Sequence, residues 1–446
     1  MPPGIPYIVG NEAAERFSFY GMKAILTVFM TQYLVDAAGA PDPMGDEAAK
    51  GAYHLFTAAA YVAPVLGALL SDVLWGKYRT ILYLSVGYCA GHAALALGDT
   101  QAGRAALEPR HWLLLGMALI AIGAGGIKPC VSAHVGDQFG ARNQHLIPRA
   151  FGWFYFSINT GATASFLLTP VLLERYGGAV AFGVPGVLMA AAWVVFWAGR
   201  RRFVHVPPSG WHDFWNETLG HEGRRAVRQL LIVFIMLAPF WALFDQTGSS
   251  WVLQAEAMDR RFLGIHWLSS QLGAVNPLLV LVLVPFFTYG LYPWLDRFVT
   301  VTPLRRIGAG FLFAVAAFAV TAWVQMRLDT GGQPSIAWQL LAYLLLTAGE
   351  VLVSVTALEF AYTQAPRRSK SVVMAVYLAS IALGNAFTSA VNFLMVDAQG
   401  ANRLAGAAYF WFFAAVMLLT FLLFIPVARL YRGRAMLQGE SSDQVA

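Results

Sequence analysis

The sequence is poor in cysteine, in charge and in polar stretches, and each shortage removes a class of protein. Its two cysteines, Cys89 and Cys130, lie inside apolar runs, so a disulfide framework and a cysteine-based metal site are excluded by count. Both read as small buried hydrophobes. Charged residues make up 12% of the 446 residues and hydrophobic ones 58%, with a mean hydropathy of +0.57. Soluble domains carry about twice that charge. No polar stretch is long enough to form a separate soluble domain. Strand-like alternation of period two is missing, which argues against a membrane β-barrel. No GxSxG, no HExxH and no metal-ligand cluster is present, so the common hydrolase chemistries lack their residues. The first residues have neither a basic leader region nor a small-residue cleavage site, so the first helix is expected to be retained.

What is present is a series of apolar runs, each long enough to cross a bilayer as a helix. Twelve are expected, over 13–36, 52–74, 78–98, 112–134, 150–174, 178–199, 229–248, 271–294, 307–326, 337–363, 371–395 and 404–428. The chain therefore reads as an all-α, multi-pass membrane protein. The net charge of +6 is a topology signal and not a nucleic-acid one. Of 30 basic residues, 19 fall on the side of the loop "WGKYR" (75–79) and eight on the other. The positive-inside rule places the first set, and with it both termini, in the cytoplasm. The other three, Arg16, Lys23 and Lys128, lie inside helices.

A polar, basic segment divides the chain into an N-terminal bundle (1–199), a cytoplasmic linker (200–228) and a C-terminal bundle with a short polar tail (229–446). Pro207, Pro208 and Gly210 break the linker, and "FWNETLGHEGRRAV" within it reads as a short surface helix. The halves echo each other. "GALLSDVLWGKYRTI" follows the second span, and "GLYPWLDRFVTVTPLRRIG" follows the eighth. Each has a glycine, an aspartate at a helix end (Asp72, Asp296) and cations in the next loop. The first resembles the loop motif of the major facilitator superfamily, whose fold is two six-helix bundles with the site between them. In this reading Asp72 is a gating residue, meeting a helix N-terminus and the loop cations.

The intramembrane charges carry the chemistry. In "NEAAERFSFYG" and just beyond, Glu12, Glu15, Arg16, Phe19, Tyr20 and Lys23 fall within an arc of about 140° on one helix. Each charge costs roughly 2.5–3.5 kcal/mol in lipid, so this face must look into the protein. The alternative is an interfacial anchor at the helix start. Lys128 follows small residues and precedes Pro129, late in its span. His54 and Tyr61 share a face of the second helix. His54 is either a proton carrier or a residue at the outer water boundary. Asn159 and Asn276 are mid-helix amides that either bind a ligand or join helices. Asp245 closes the seventh span. Glu350 sits in the middle of the tenth, with Ser354 one turn on, while Glu359 lies on the opposite face and reads as structural. One half thus offers cations and the other an acid and an amide, which suits a small zwitterion. Phe240, Trp241, Phe244 and Tyr377 are candidate walls for side-chain pockets.

Glu12-x-x-Glu15-Arg16-Phe17 followed by Tyr20-Gly21 resembles the ExxERF motif of proton-coupled oligopeptide transporters. "FYFSINTGA", "FWALFDQTGSSWVLQ" and "GEVLVSVTALEFAYTQAP" extend the resemblance over nearly the whole chain. The resemblance implies a proton symporter that imports di- and tripeptides by alternating access. It is expected to be a multi-pass protein of a cytoplasmic (inner) membrane, with the proton as coupling ion and no other cofactor. No metal, nucleic acid or obligate protein partner is expected. It implies that Arg16 and Lys128 receive the peptide carboxylate, and that Asn159, Asn276 and Glu350 hold the amino terminus. Tyr20, Tyr61, Phe240, Trp241 and Ser354 are implied as further binding residues. Glu12, Glu15, Arg16, His54 and Asp245 are implied in proton coupling. Lys23 and Asp245 would form an outer gate. Three departures stand out: Phe19 replaces a tyrosine, Tyr377 replaces a tryptophan, and the linker has no extra membrane helices. Competing readings are an anion carrier, which has no use for Glu350, a sensor that binds without flux, and a membrane enzyme.

Overall fold

A computed structural model of the chain describes residues 1–140, 142–208, 210–211, 221–359, 370–395 and 403–430, with 221–229 and 370–375 described as backbone only. Much of the expected linker helix, the basic residues Arg367 and Arg368, and the polar tail lie outside the described residues.

The N-terminal half contains α1 (Ile5–Val28), α2 (Asp46–Leu69), α3 (Lys77–Gly98), the short α4 (Gln101–Ala106), α5 (Pro109–Asp137) and α6 (Ile147–Ala198). The C-terminal half contains α7 (His221–Phe244), α8 (Ser250–Glu256), α9 (Val275–Pro285), α10 (Tyr292–Leu295), α11 (Pro303–Asp329), α12 (Ala337–Glu350), α13 (Lys370–Leu394) and α14 (Ala407–Leu430). Between α8 and α9 a two-stranded hairpin pairs β1 (Arg261–Phe262) with β2 (Ile265–His266). Several helices run on into wider π turns, including Phe29–Tyr33 after α1, Leu70–Trp75 after α2 and Val351–Val355 after α12. Such turns collect at working sites.

Among the described residues, ten stretches are long and apolar enough to cross a membrane. One of them, Gln144–Arg201, is 58 residues long and contains α6. Inside α6, Gly177 has φ 78° and ψ −179°, a conformation reserved for glycine. The N–H of Ala179, two residues on, donates to Asp99 Oδ2 at 2.9 Å, which caps the second segment. The break falls between the expected spans 150–174 and 178–199. α1 is not among the ten, because its charged residues make it too polar. It also begins at Ile5, eight residues before the expected start at 13. Pro6 in the first turn supplies a φ suited to helix initiation. Glu12 therefore lies two turns inside the helix and not at its start.

The buried apolar side chains form two large cores. One runs from Ile5 to Phe203 and takes in Val252, and the other runs from Leu230 to Phe424. The exposed surface is apolar as well, with Leu114, Val187, Val282 and Leu422 each more than half exposed. Side chains of that kind on the outside suit hydrocarbon and not water. Helices cross where small residues face each other. A Cβ at Gly67 of α2 would overlap the Gly126 carbonyl of α5, and one at Gly161 of α6 would overlap the Ala13 carbonyl of α1.

Gly67→Val is expected to force α2 and α5 apart and to cost about 1–3 kcal/mol. The thermal midpoint of the detergent-solubilised protein should fall by several degrees. An unchanged midpoint would contradict the backbone contact.

Candidate functional site

The charged face of α1 is turned inward. Glu12 and Glu15 are each 1% exposed. Arg16 Nε donates to Glu12 Oε1 at 2.6 Å and lies 3.2 Å from Glu15 Oε2. One guanidinium thus serves two carboxylates. Among the described residues, Glu12 Oε2 and both Glu15 oxygens accept no hydrogen bond, and neither amide atom of buried Asn11 finds a partner. Burying a carboxylate without donors is costly, so this cluster has room for a proton. Lys128, on α5, is held differently. Its Nζ lies 3.7 Å from the Phe19 ring centre and 4.7 Å from that of Tyr61. It makes no ion pair among the described residues. Aromatic faces stabilise a desolvated cation by about 2 kcal/mol without consuming its charge. Phe19, whose lost hydroxyl was the visible feature in the sequence, is here the platform for Lys128.

A second network joins the halves. Lys23 Nζ donates to Asp245 Oδ1 at 2.7 Å, and both side chains are 8% exposed. Asp245 Oδ2 accepts from Asn385 Nδ2 at 2.8 Å. Asn385 Nδ2 also donates to Ile381 O at 3.0 Å, four residues back. With its N–H groups committed to two acceptors, Asn385 presents its oxygen to His54 Nδ1 at 2.8 Å. His54 therefore carries a proton on Nδ1, leaving Nε2 to accept from Ser249 Oγ at 2.9 Å. Thr27 Oγ1 donates to Gly248 O at 2.8 Å, and Ser389 Oγ donates to Gly51 O at 2.9 Å. Lys50 Nζ stands 4.2 Å from the Tyr409 ring centre. Between described residues, every hydrogen bond and ion pair linking the two halves lies toward the end bearing loops 34–45 and 257–268.

The C-terminal half supplies the acid. Asn276 Nδ2 donates to Glu350 Oε2 at 2.6 Å and to Thr347 Oγ1 at 3.1 Å. Glu350 Oε1 accepts none among the described residues. Ser354 is partly buried in the following π turn. Asn159 belongs to the other half, and its Nδ2 donates to Tyr155 O of its own helix at 2.9 Å, with no bond to Glu350. Phe240 is fully buried in the core. Trp241 is 6% exposed, its Nε1–H has no partner among the described residues, and its ring lies 6.5 Å from that of Tyr377. Tyr20 and Tyr61 are partly buried.

The repeated loops use different partners. Asp72 accepts from Ser71 Oγ at 2.9 Å in the π turn after α2. Lys77, expected to serve Asp72, pairs with Asp137 at 2.7 Å. In the second loop Asp296 accepts from Val301 N at 2.9 Å, and Arg306 lies over Tyr292 and 3.9 Å from Glu359. Glu359 is thus near a cation of the second loop, with its side chain 57% exposed. Asn385 is the residue that sequence reasoning missed. Its signal was the stripe Asn385, Thr388, Ser389 and Asn392, whose helical spacing puts four polar groups on one face of an apolar span.

Opposite charges buried in two helical halves, bonded to each other toward one end, are the makings of a membrane transporter. The comparisons agree. A family model described as "POT family" matches residues 78–212 and 211–412. The chain belongs to the POT family. It is 35% identical to "Peptide transporter family 1" of Drosophila melanogaster, over 74% of this chain and 48% of that protein. It is 36% identical to "Solute carrier family 15 member 2" of Mus musculus, over 79% of this chain and 53% of that one. The chain thus spans about half the length of these relatives, which are transporters and not enzymes. The crystal structure of an auto-inhibited POT family peptide transporter superposes with a TM-score of 0.87 at 36% identity, covering 98% of this chain and 99% of that one.

Removing one partner of the Lys23–Asp245 pair leaves a buried charge alone. Lys23→Met or Asp245→Leu by itself is expected to cost about 3–5 kcal/mol, and the double variant to regain most of that loss. Thermal midpoints of the wild type and three variants form the cycle. Additive losses would show that the two charges do not depend on each other.

Proposed function

We propose that this protein is a proton-coupled symporter that carries di- and tripeptides into the cell across a cytoplasmic membrane. It would do so with twelve membrane helices, six in each bundle (1–199 and 229–446), joined by the linker 200–228 and with both termini inside. α1 counts as a span in this reading, and α6 as two. The observation that carries the proposal is the division of charge. Arg16 and Lys128 belong to one half, and the Asn276–Glu350 pair to the other.

A peptide is a zwitterion of matching form. Its carboxylate is assigned to Arg16 and Lys128, and its ammonium to Glu350 Oε1, with Asn276 holding the other oxygen. Glu12 and Glu15 are the coupling acids. A proton on either releases Arg16 from a carboxylate and frees it for the peptide. The network around Lys23, Asp245, Asn385 and His54 is the outer gate, closed while these bonds are made. Protonating Asp245 removes the charge that Lys23 needs, and protonating His54 turns Nε2 into a donor, so Ser249 must reorient its hydroxyl. Either event loosens the gate. Inward proton movement contributes about 2.3 kcal/mol per charge per 100 mV.

The test is uptake of labelled dialanine into proteoliposomes with an acidic outside, with and without a protonophore. Uphill uptake is expected, abolished by the protonophore and competed by dipeptides but not by nitrate or free alanine. Saturable binding without flux would make the protein a sensor, and competition by nitrate would make it an anion carrier. In the same assay Glu350→Gln should weaken dialanine binding by roughly 2–5 kcal/mol. Glu15→Gln should abolish uphill uptake while leaving exchange of peptide for peptide. Full uphill uptake by Glu15→Gln would remove that residue from the coupling.

A further inference from the structure

The coupling cluster contains a buried amide that the proposed cycle does not use. Asn11 precedes Glu12 in α1 and is 1% exposed. Neither its Oδ1 nor its Nδ2 has a hydrogen-bond partner among the described residues. The two carboxylate oxygens of Glu15, also 1% exposed, are in the same position, although Oε2 lies 3.2 Å from Arg16 Nε. Polar groups are costly to leave unbonded in a dry interior.

Helix geometry brings these four atoms together. Asn11 and Glu15 are four apart and share a face of α1, whereas Asn11 and its neighbour Glu12 point different ways. Other polar groups at this level are engaged. Ser18 Oγ lies 2.6 Å from Pro185 O and 2.8 Å from Ala14 O, which take its one proton. Tyr88 Oη, on α3, donates to the backbone carbonyl of Glu15 at 3.4 Å, and Ser157 Oγ, on α6, donates to Phe154 O at 2.7 Å. The charged groups that bear on Glu15 are Arg16 and Glu12 of α1 and Lys128 of α5. Tyr20 of α1, and Tyr88 of α3 with His92 stacked on it at 5.2 Å, are the other titratable groups on this side. α6 meets α1 at Gly161, against Ala13 and Phe17, and carries no charged residue between Arg149 and Glu174.

The donors and acceptors then select a protonation state. An amide offers an oxygen that accepts and an NH₂ that donates. An ionised Glu15 accepts from Nδ2 but has nothing to give Oδ1. A neutral Glu15 gives its O–H to Oδ1 and accepts from Nδ2 on its other oxygen, which closes a ring of two hydrogen bonds. Only the neutral acid satisfies both atoms of Asn11. A proton held between Glu15 and Glu12 Oε2 instead would leave both of them unbonded.

We propose that Asn11 is the positioning residue for proton uptake: on taking a proton, Glu15 turns from Arg16 to Asn11, donating to Oδ1 and accepting from Nδ2. The ring holds the acid neutral and away from the guanidinium, which a peptide carboxylate then shares only with Glu12. This consequence rests on the transport reading, but the pair itself needs no peptide.

Infrared difference spectra of the full-length protein on acidification test the pair without transport. The carboxylic C=O band that Glu15→Gln removes should lie at lower frequency in the wild type than in Asn11→Leu, because a carbonyl that accepts a hydrogen bond stretches more softly. Asn11→Ala removes the amide without adding apolar bulk and should move the band the same way, so a misfolded Asn11→Leu does not leave the test undecided. In proteoliposomes, half-maximal uphill uptake of dialanine by Asn11→Leu should need an outside about one pH unit more acidic, a tenfold change in protons, with peptide exchange retained. Equal band positions with and without Asn11, no band that depends on Glu15, or an unshifted pH profile in a transporting variant would overturn the proposal. A shifted band in a protein that shows no uptake would support the pair and sink the transport reading instead.

Discussion

A lysine and an aspartate buried toward one end of the helices, one in each half, set the terms for the rest of the structure. Neither half can satisfy its own charge, so Lys23 and Asp245 hold the halves together wherever they meet. A buried ion pair contributes little net stability, because desolvation offsets most of the attraction, yet removing one partner is costly. That combination suits a latch. The pair resists being half undone, so release takes a new partner or solvent for Lys23 together with the proton that neutralises Asp245. The bonds from Thr27 to Gly248 and from Ser389 to Gly51 lie toward the same end and are neutral, so they follow the latch.

The cluster around Arg16 differs because its partners belong to one half. Glu12, Glu15 and Arg16 are on the same helix, and Lys128 is on a helix of the same bundle. Re-pairing among them needs no movement of one half against the other. Lys128 rests on ring faces and makes no ion pair among the described residues. The two clusters thus use the same kinds of residue, one bonded between halves and one within a half.

Much of this is legible in the order of the amino acids. Hydrophobic runs and charge asymmetry mark out the helices, and the angular spacing from Glu12 to Lys23 defines a single inward face. What is not legible has physical reasons. The start of α1 is hidden because the charges that make it functional also lower its hydropathy. The Asn276–Glu350 pair is expected as a group, but a helical wheel does not tell which amide reaches which acid, and Asn159 turns to its own backbone instead. Asn385 escapes notice because a lone amide in an apolar span looks like any helix-joining polar residue. Its role appears only when Asp245 and His54, 191 positions apart in sequence, are seen on either side of it. Lys77 finds Asp137 and not Asp72 because loop proximity in sequence does not fix the partner across the bundle.

Charge balance then links the two ends of the proposed cycle. Glu12, Glu15, Arg16 and Lys128 sum to zero when all are ionised, and so do Lys23 and Asp245. A low-dielectric interior tolerates such sums and resists departures from them. A peptide ammonium beside Glu350 neutralises an acid that had only an amide for company. The peptide carboxylate does the opposite, adding one negative charge to a cluster already balanced. In that cycle the least costly way to restore neutrality is one proton on Glu12 or Glu15, the acids that lack hydrogen-bond donors among the described residues on three of their four oxygens. In this account coupling does not need a dedicated wire between proton and peptide. In the proposed cycle, the low-dielectric interior's resistance to unbalanced charge would make at least one proton travel with each peptide carboxylate.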